Sequence, residues 1–186
     1  MSLKTVWIDT LYKVATGSRN VRNFFTPIGA IVYGLLLFGF VVIALYVDRL
    51  IGLTNIFSNP LNLVLSVPIF LLALFLIGWS VQNFLAAKGT PVPFNPPSQL
   101  VTTGPYAYTR NPMLTGVFSL LFGCGVFFGS LSLLFVFTPL FIYINFWELK
   151  SIEEPELEKR LGEDYVKYRE RTPMFFPNLM EIFRKR

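Results

Sequence analysis

The sequence predicts an all-α, polytopic membrane protein with four transmembrane helices and a cytoplasmic C-terminal helix. Three observations carry that prediction. Apolar residues make up 53% of the chain and charged residues only 15%, against about 25% charge in a soluble domain. The charges are segregated, with none between Arg22 and Asp48, between Arg49 and Lys88, or between Arg110 and Glu148. Of the 16 Lys and Arg residues, only Arg49 lies outside the N-terminal segment, the central loop and the C-terminal tail.

The spans follow in order. A bilayer-crossing helix needs about 20 apolar residues, and the first two candidates are Pro27–Val47 and Leu61–Ala87. The charge-free stretch Asn111–Trp147 is too long for one helix and suits a hairpin turning at Gly129-Ser130. Each arm then holds about 18 residues, or roughly 27 Å. Pro68 and Pro139 fall inside spans and are expected to kink them. Four spans place the N-terminal segment, central loop and tail on one face, and the positive-inside rule makes that face cytoplasmic. Both termini are therefore expected in the cytoplasm. The N-terminal stretch lacks a small-x-small site after a short apolar core, so it does not read as a cleavable signal. Val6, Trp7, Leu11 and Val14 suit one face of an interfacial helix flanked by Lys4 and Lys13, with a plain basic anchor as the alternative. The economical organisation is one domain: an interfacial segment over 1–26, a bundle over 27–147 and a tail over 148–186.

Composition also excludes chemistries. With no histidine and a single cysteine, Cys124, His-based acid–base catalysis, His-ligated metal or haem, internal disulfides and multi-thiolate metal sites are ruled out. No metal is expected. The net charge of +5 flanks apolar spans, so it reports topology and a lipid bilayer as partner, not nucleic acid.

Two polar segments exceed what connection requires. Gly89–Asn111, GTPVPFNPPSQLVTTGPYAYTRN, carries prolines and glycines that forbid a continuous helix, together with the aromatics Phe94, Tyr106 and Tyr108. Most connections run about 4–6 residues, so this one reads as a functional loop or, more plainly, a long surface loop. In the tail, Pro155 suits a helix start, with Glu156 and Glu158 early and Arg169 and Arg171 late. Leu157, Leu161, Tyr165 and Tyr168 then form one apolar stripe of a single helix. Glu153 and Glu154, just before it, are either ordinary interfacial charges or partners for a cation such as Arg110. Gly123-Cys124-Gly125 faintly suggests a nucleotide-binding glycine loop. That motif requires a preceding strand and a following soluble helix, so close helix packing is the better account.

LVTTGPYAYTRNPMLTG (Leu100–Gly116), followed by EEPELEKRLGEDYVKYRERTPMFFP (Glu153–Pro177), resembles the isoprenylcysteine carboxyl methyltransferase family. Its superfamily includes the phospholipid N-methyltransferases. The resemblance covers about residues 98–177. It implies an integral membrane enzyme using S-adenosylmethionine, with an amphipathic or lipidic acceptor. The family pattern G-x-Y-x-x-x-R-H-P-x-Y reads here as Gly104, Tyr106, Arg110, Asn111, Pro112, Met113 and Leu114, and the later Glu pair as Glu153 and Glu154. By that resemblance Gln99, Leu100, Val101, Gly104, Tyr106, Arg110, Asn111–Leu114, Glu153 and Glu154 form the cofactor site. Asn111 replaces a histidine and can bind but not take a proton. Leu149 stands where carboxyl methyltransferases carry the arginine that presents the acceptor carboxylate, which argues against a prenylcysteine carboxylate. Glu148 is the candidate base for an amine acceptor. A membrane reductase of sterol-like substrates using NADPH, and a non-catalytic scaffold of the same fold, are the readings from other classes.

Overall fold

The computed structural model describes residues 3–53, 55, 59–90, 95–97 and 99–177. The expectation on Phe94 falls outside them. Among the described residues there are helices and no strands: α1 (Leu3–Ala15), α2 (Arg19–Leu50), α3 (Leu61–Ala86), α4 (Pro112–Phe128), α5 (Leu133–Leu161) and α6 (Glu163–Arg171). A short 3₁₀ turn, Gly104–Ala107, precedes α4.

Three of these are long and apolar enough to cross a bilayer, namely α2 over Asn20–Leu50, α3 and α5. The fourth, α4, is a shorter apolar helix of 17 residues, roughly 25 Å long. Along α2 and α3, side chains such as Leu35, Phe38, Ile43, Val64, Leu71 and Leu74 are exposed. A water-facing surface of that kind would be an aggregation site, whereas lipid accepts it. The chain is an integral membrane protein.

The centre of the bundle lies where α2, α4 and α5 meet. Phe141 of α5 is fully buried and packs edge-on against Phe40 of α2, with ring centroids 5.2 Å apart, and against Phe118 of α4 at 6.1 Å. Val117 and Leu121 complete that cluster, and Tyr33, Leu37 and Phe175 pack around it. On the other side, α3 meets α4 at close range. A Cβ added at Gly123 would lie 2.8 Å from the Phe70 ring, so this glycine serves helix packing, as its position inside an apolar span indicates.

The hairpin turns at Gly129, and its far end is tied to the first span. Asp48, near the end of α2, accepts a hydrogen bond from the Ser130 hydroxyl and one of 3.0 Å from the Ser132 backbone N–H. Ser130 Oγ in turn accepts from Leu133 N–H at 3.0 Å. Donors at the start of α5 are thus satisfied by Asp48 of the neighbouring helix and by the Ser130 hydroxyl of the turn.

The structure revises the helix expected over the tail. α5 does not stop at Trp147 but continues to Leu161, so Pro155 sits inside a helix and not at its start. Two π segments make this possible, Leu133–Phe137 before Pro139 and Leu149–Glu153 before Pro155. A proline removes one backbone donor and crowds the preceding turn, and a widened turn accommodates both effects. The expected stripe of Leu157, Leu161, Tyr165 and Tyr168 is also split between two helices. Gly162, at φ +63° and ψ −142°, separates α5 from α6. That conformation is essentially restricted to glycine.

Candidate functional site

The site forms at the end of the bundle opposite the hairpin turn, where the central loop and the tail close over α3, α4 and α5. The loop leaves α3 and folds back at once. Thr90 N–H donates to the Asn95 carbonyl at 2.7 Å. From the last turns of α5, the Arg160 guanidinium donates to the Pro97 carbonyl at 3.1 Å and to Glu156 at 2.8 Å. Both of those charged side chains are largely buried, so the pair clamps loop to tail.

Next comes the 3₁₀ turn. Gly104 has φ +60°, and a Cβ there would lie 2.4 Å from the Asn83 side-chain oxygen, so the turn sits directly on α3. Tyr106 is buried, its ring packed edge-on against Phe84 at 5.0 Å and its hydroxyl against Ser80. Its carbonyl accepts the Tyr168 hydroxyl of α6 at 2.7 Å. Burial pushes the hydroxyl of Tyr165 up to about 12 and raises Tyr106 and Tyr168 further. All three therefore remain proton donors at neutral pH.

Arg110 donates to Glu154 in a buried ion pair, and Lys150 lies 3.8 Å from the other oxygen of that carboxylate. The Arg110–Glu154 partnership anticipated from sequence is present. The returning tail covers the start of α4: Arg110 N–H donates to Pro173 at 2.8 Å, and Asn111 N–H to Met174 at 3.0 Å. The Asn111 amide reaches the same Met174 carbonyl at 3.4 Å, and the Thr115 hydroxyl donates to Phe175 at 3.1 Å. Backbone carbonyls of the tail thereby serve donors that a helix start leaves open. Phe175 then wedges against Phe118, 5.3 Å between centroids.

The groups left over are informative. Glu153, just before the satisfied Glu154 and Glu156, forms no hydrogen bond or ion pair among the described residues, and neither does Glu148. Thr109 Oγ1 and Arg110 Nε are buried without a partner. Polar groups in that state are costly unless something meets them. The other expected residues divide. Gln99 is exposed, Leu100, Val101, Met113 and Leu114 are half-buried, and Pro112 is buried. Leu149 points into the core at 2% exposure, while Lys150 faces outward. Thr109 and Arg160 are functional side chains not anticipated from sequence, and Glu156, expected only as a helix-end charge, is the partner of Arg160. The last two were legible as an i,i+4 pair of opposite charge, whereas the hydroxyl of Thr109 carried no signal beyond its place between Tyr108 and Arg110.

No curated protein and no solved structure matches the chain. A family model does: residues 61–164, more than half of the chain, match the phospholipid methyltransferase family. The chain belongs to that family. The match takes in α3, which resembled the superfamily only in general character, and ends just inside α6.

Proposed function

We propose that this membrane methyltransferase uses S-adenosylmethionine to methylate an amphipathic or lipidic acceptor at the cytoplasmic face of its membrane. One observation carries the reading: Glu153, a carboxylate without a hydrogen bond or ion pair among the described residues, stands beside a satisfied Arg110–Glu154 pair and the unsatisfied Thr109 Oγ1 and Arg110 Nε. That donor and acceptor set fits the zwitterionic and hydroxyl-bearing parts of the cofactor. When bound, the cofactor supplies a sulfonium-activated methyl group. Glu153 would pair with the ammonium or accept from the ribose hydroxyls. Arg110 would offer Nε to the carboxylate, while its Nη1 is held by Glu154. Gln99, Leu100, Val101, Met113 and Leu114 would line the site, with Gly104, Tyr106, Asn111 and Pro112 holding its wall. Holding donor and acceptor in line can supply much of the acceleration of a displacement. Glu148 would take the proton of an amine acceptor.

The charge distribution supports the cytoplasmic assignment, since only Arg49 among the Lys and Arg residues lies away from the N-terminal segment, the loop and the tail. Cysteines placed in the tail and at Gly52 should label from opposite faces of sealed, oriented vesicles, and same-side labelling would overturn the topology.

The central test is ligand-linked stability, because binding to the native state alone raises the melting temperature. S-adenosylhomocysteine should stabilise the purified protein and NADPH should not. Stabilisation by NADPH alone would replace this reading with a reductase.

A further inference from the structure

The N-terminal helix has two sides with different surroundings. A helix turns by about 100° per residue, so α1 carries Asp9, Tyr12 and Ala15 on one side and Val6, Trp7, Thr10 and Lys13 on the other. The first side is the docked one, set against the later turns of α5. Ala15 is buried, Asp9 accepts from the Lys159 ammonium at 2.8 Å, and the same ammonium lies 4.6 Å from the centroid of the Tyr12 ring. The second side is exposed along its length, Val6 and Trp7 included. An uncovered apolar strip with a lysine at its edge suits a helix lying in a membrane interface, and Trp is enriched at that depth. The bend over Thr16–Ser18 leads directly into α2, a helix able to cross the bilayer. That connection keeps α1 at the membrane surface.

Charge decides which lipids that surface favours. Before Asp48 the chain carries Lys4, Lys13, Arg19 and Arg22 against one acidic residue, Asp9. Asp9 is already bonded to Lys159, so this segment has no free acid to meet the ammonium of a zwitterionic headgroup. Lys13 is exposed and forms no ion pair among the described residues. Arg22, in the first turns of α2, has its Nε buried without a partner. A buried donor in that state is costly until an acceptor meets it, and phosphate oxygens match the guanidinium fork. α2 also starts with no acidic residue in its first turn and no side-chain cap from Ser18, so its positive pole adds to the same field.

We propose that α1 and the first turns of α2 form a binding site for an anionic phospholipid. Arg22 and Lys13 take the phosphate, and Val6 and Trp7 settle against the upper part of the acyl chains. The occupant is a lipid and not a soluble anion, because the exposed Val6 and Trp7 gain only from an apolar partner. Each basic residue close to an anionic surface contributes about a fivefold gain in affinity. The proposal concerns neither the cofactor nor the acceptor, so it stands or falls independently of the methyltransferase reading.

The test uses the full chain in neutral maltoside micelles, titrated with dioctanoyl phosphatidylglycerol, dioctanoyl phosphatidylcholine and glycerol phosphate. Apparent affinity is read from the rise in melting temperature with ligand concentration. Phosphatidylglycerol should act at concentrations at least about tenfold lower than phosphatidylcholine, and glycerol phosphate should not stabilise the protein. Lys13→Ala and Arg22→Gln should each weaken phosphatidylglycerol by about fivefold, and together by about twentyfold or more. Because Arg22 Nε has no partner to lose, Arg22→Gln should melt like the parent before lipid is added. Arg49→Gln, at the other end of α2, should leave the lipid affinity unchanged. Equal affinity for the two lipids, or stabilisation by glycerol phosphate as strong as by phosphatidylglycerol, overturns the proposal. So does a Lys13→Ala/Arg22→Gln protein that keeps the parent's affinity for phosphatidylglycerol, or an Arg49→Gln protein that loses as much of it. Should Arg22→Gln fail to fold, Lys4→Ala/Lys13→Ala on the exposed positions of α1 decides: unchanged phosphatidylglycerol affinity there rejects the site.

Discussion

Asp48 and Glu153 are carboxylates at opposite ends of the same bundle, and they are treated in opposite ways. At the hairpin end Asp48 is met by the Ser130 hydroxyl and the Ser132 N–H, and Ser130 passes the interaction on to Leu133. At the loop–tail end Glu153 has no hydrogen bond or ion pair among the described residues, although Glu154 and Glu156, which follow it, are paired with Arg110 and Arg160. A fully bonded buried carboxylate fixes one geometry. One left open, next to neighbours that are closed, is the group proposed above to receive the cofactor's positive charge. The hairpin end is built to hold, and the loop–tail end holds as well and carries the proposed binding site.

The largest effect expected at either end comes from the holding part of the loop–tail end. Arg110→Ala leaves Glu154 buried and uncompensated, which should cost about 3–5 kcal/mol of stability. Replacing both residues by leucine should recover most of it, and a thermal double-mutant cycle measures the coupling. If Arg110→Ala melts like the parent, the ion pair is not what closes the loop on the tail. At the hairpin end, Asp48→Ala removes charge-assisted bonds and a helix cap, at about 1.5–3 kcal/mol. It should leave S-adenosylhomocysteine binding unchanged, since nothing connects Asp48 to the site.

Glu153→Gln should separate the two functions within one end. Because Glu153 has no partner to lose, the ligand-free melting temperature should stay constant or rise. Binding of S-adenosylhomocysteine should weaken about tenfold to hundredfold, the equivalent of one charged hydrogen bond. Loss of stability without loss of binding would mean that Glu153 is a structural residue like Asp48.

Much of this was legible in the sequence because lipid imposes a simple code. Charge-free stretches gave the spans, and Gly129-Ser130 gave the turn. The motif spacing brought Arg110 to Glu154 of the Glu153–Glu154 pair. What could not be read depends on hydrogen-bond geometry. Whether a proline begins a helix or sits in a continuous one depends on a widened turn that leaves no mark on the apolar pattern, which is why α5 was expected to end early. Gly162 was readable in principle as a break, but the stripe from Leu157 to Tyr168 has the correct helical spacing and concealed it. The Tyr33–Asn145 contact joins residues 112 apart in sequence, and no local pattern encodes that. Gly162→Ala tests the break directly: the conformation should cost about 1–3 kcal/mol. It should also weaken the Tyr168–Tyr106 contact, whereas an unchanged melting temperature would mean that α5 and α6 can join.

The smallest effect belongs to α1, which lies against the later turns of α5. Asp9 accepts from the Lys159 ammonium at 2.8 Å, and the same ammonium sits 4.6 Å from the centroid of the Tyr12 ring. The hydrogen bond from Lys159, together with its charge, holds the Asp9 carboxyl below its ordinary value. A depressed carboxyl stabilises the docked helix above its unfolded pKa, and that contribution disappears as pH falls through the folded one. Acidification should therefore loosen α1. Salt should act in the same direction, because the pair is exposed. A spin label on Thr10→Cys, at an exposed position of α1, should gain mobility at low pH and, in Asp9→Asn, already at neutral pH. Unchanged mobility in Asp9→Asn would assign the docking to the Tyr12 ring and remove the pH dependence with it.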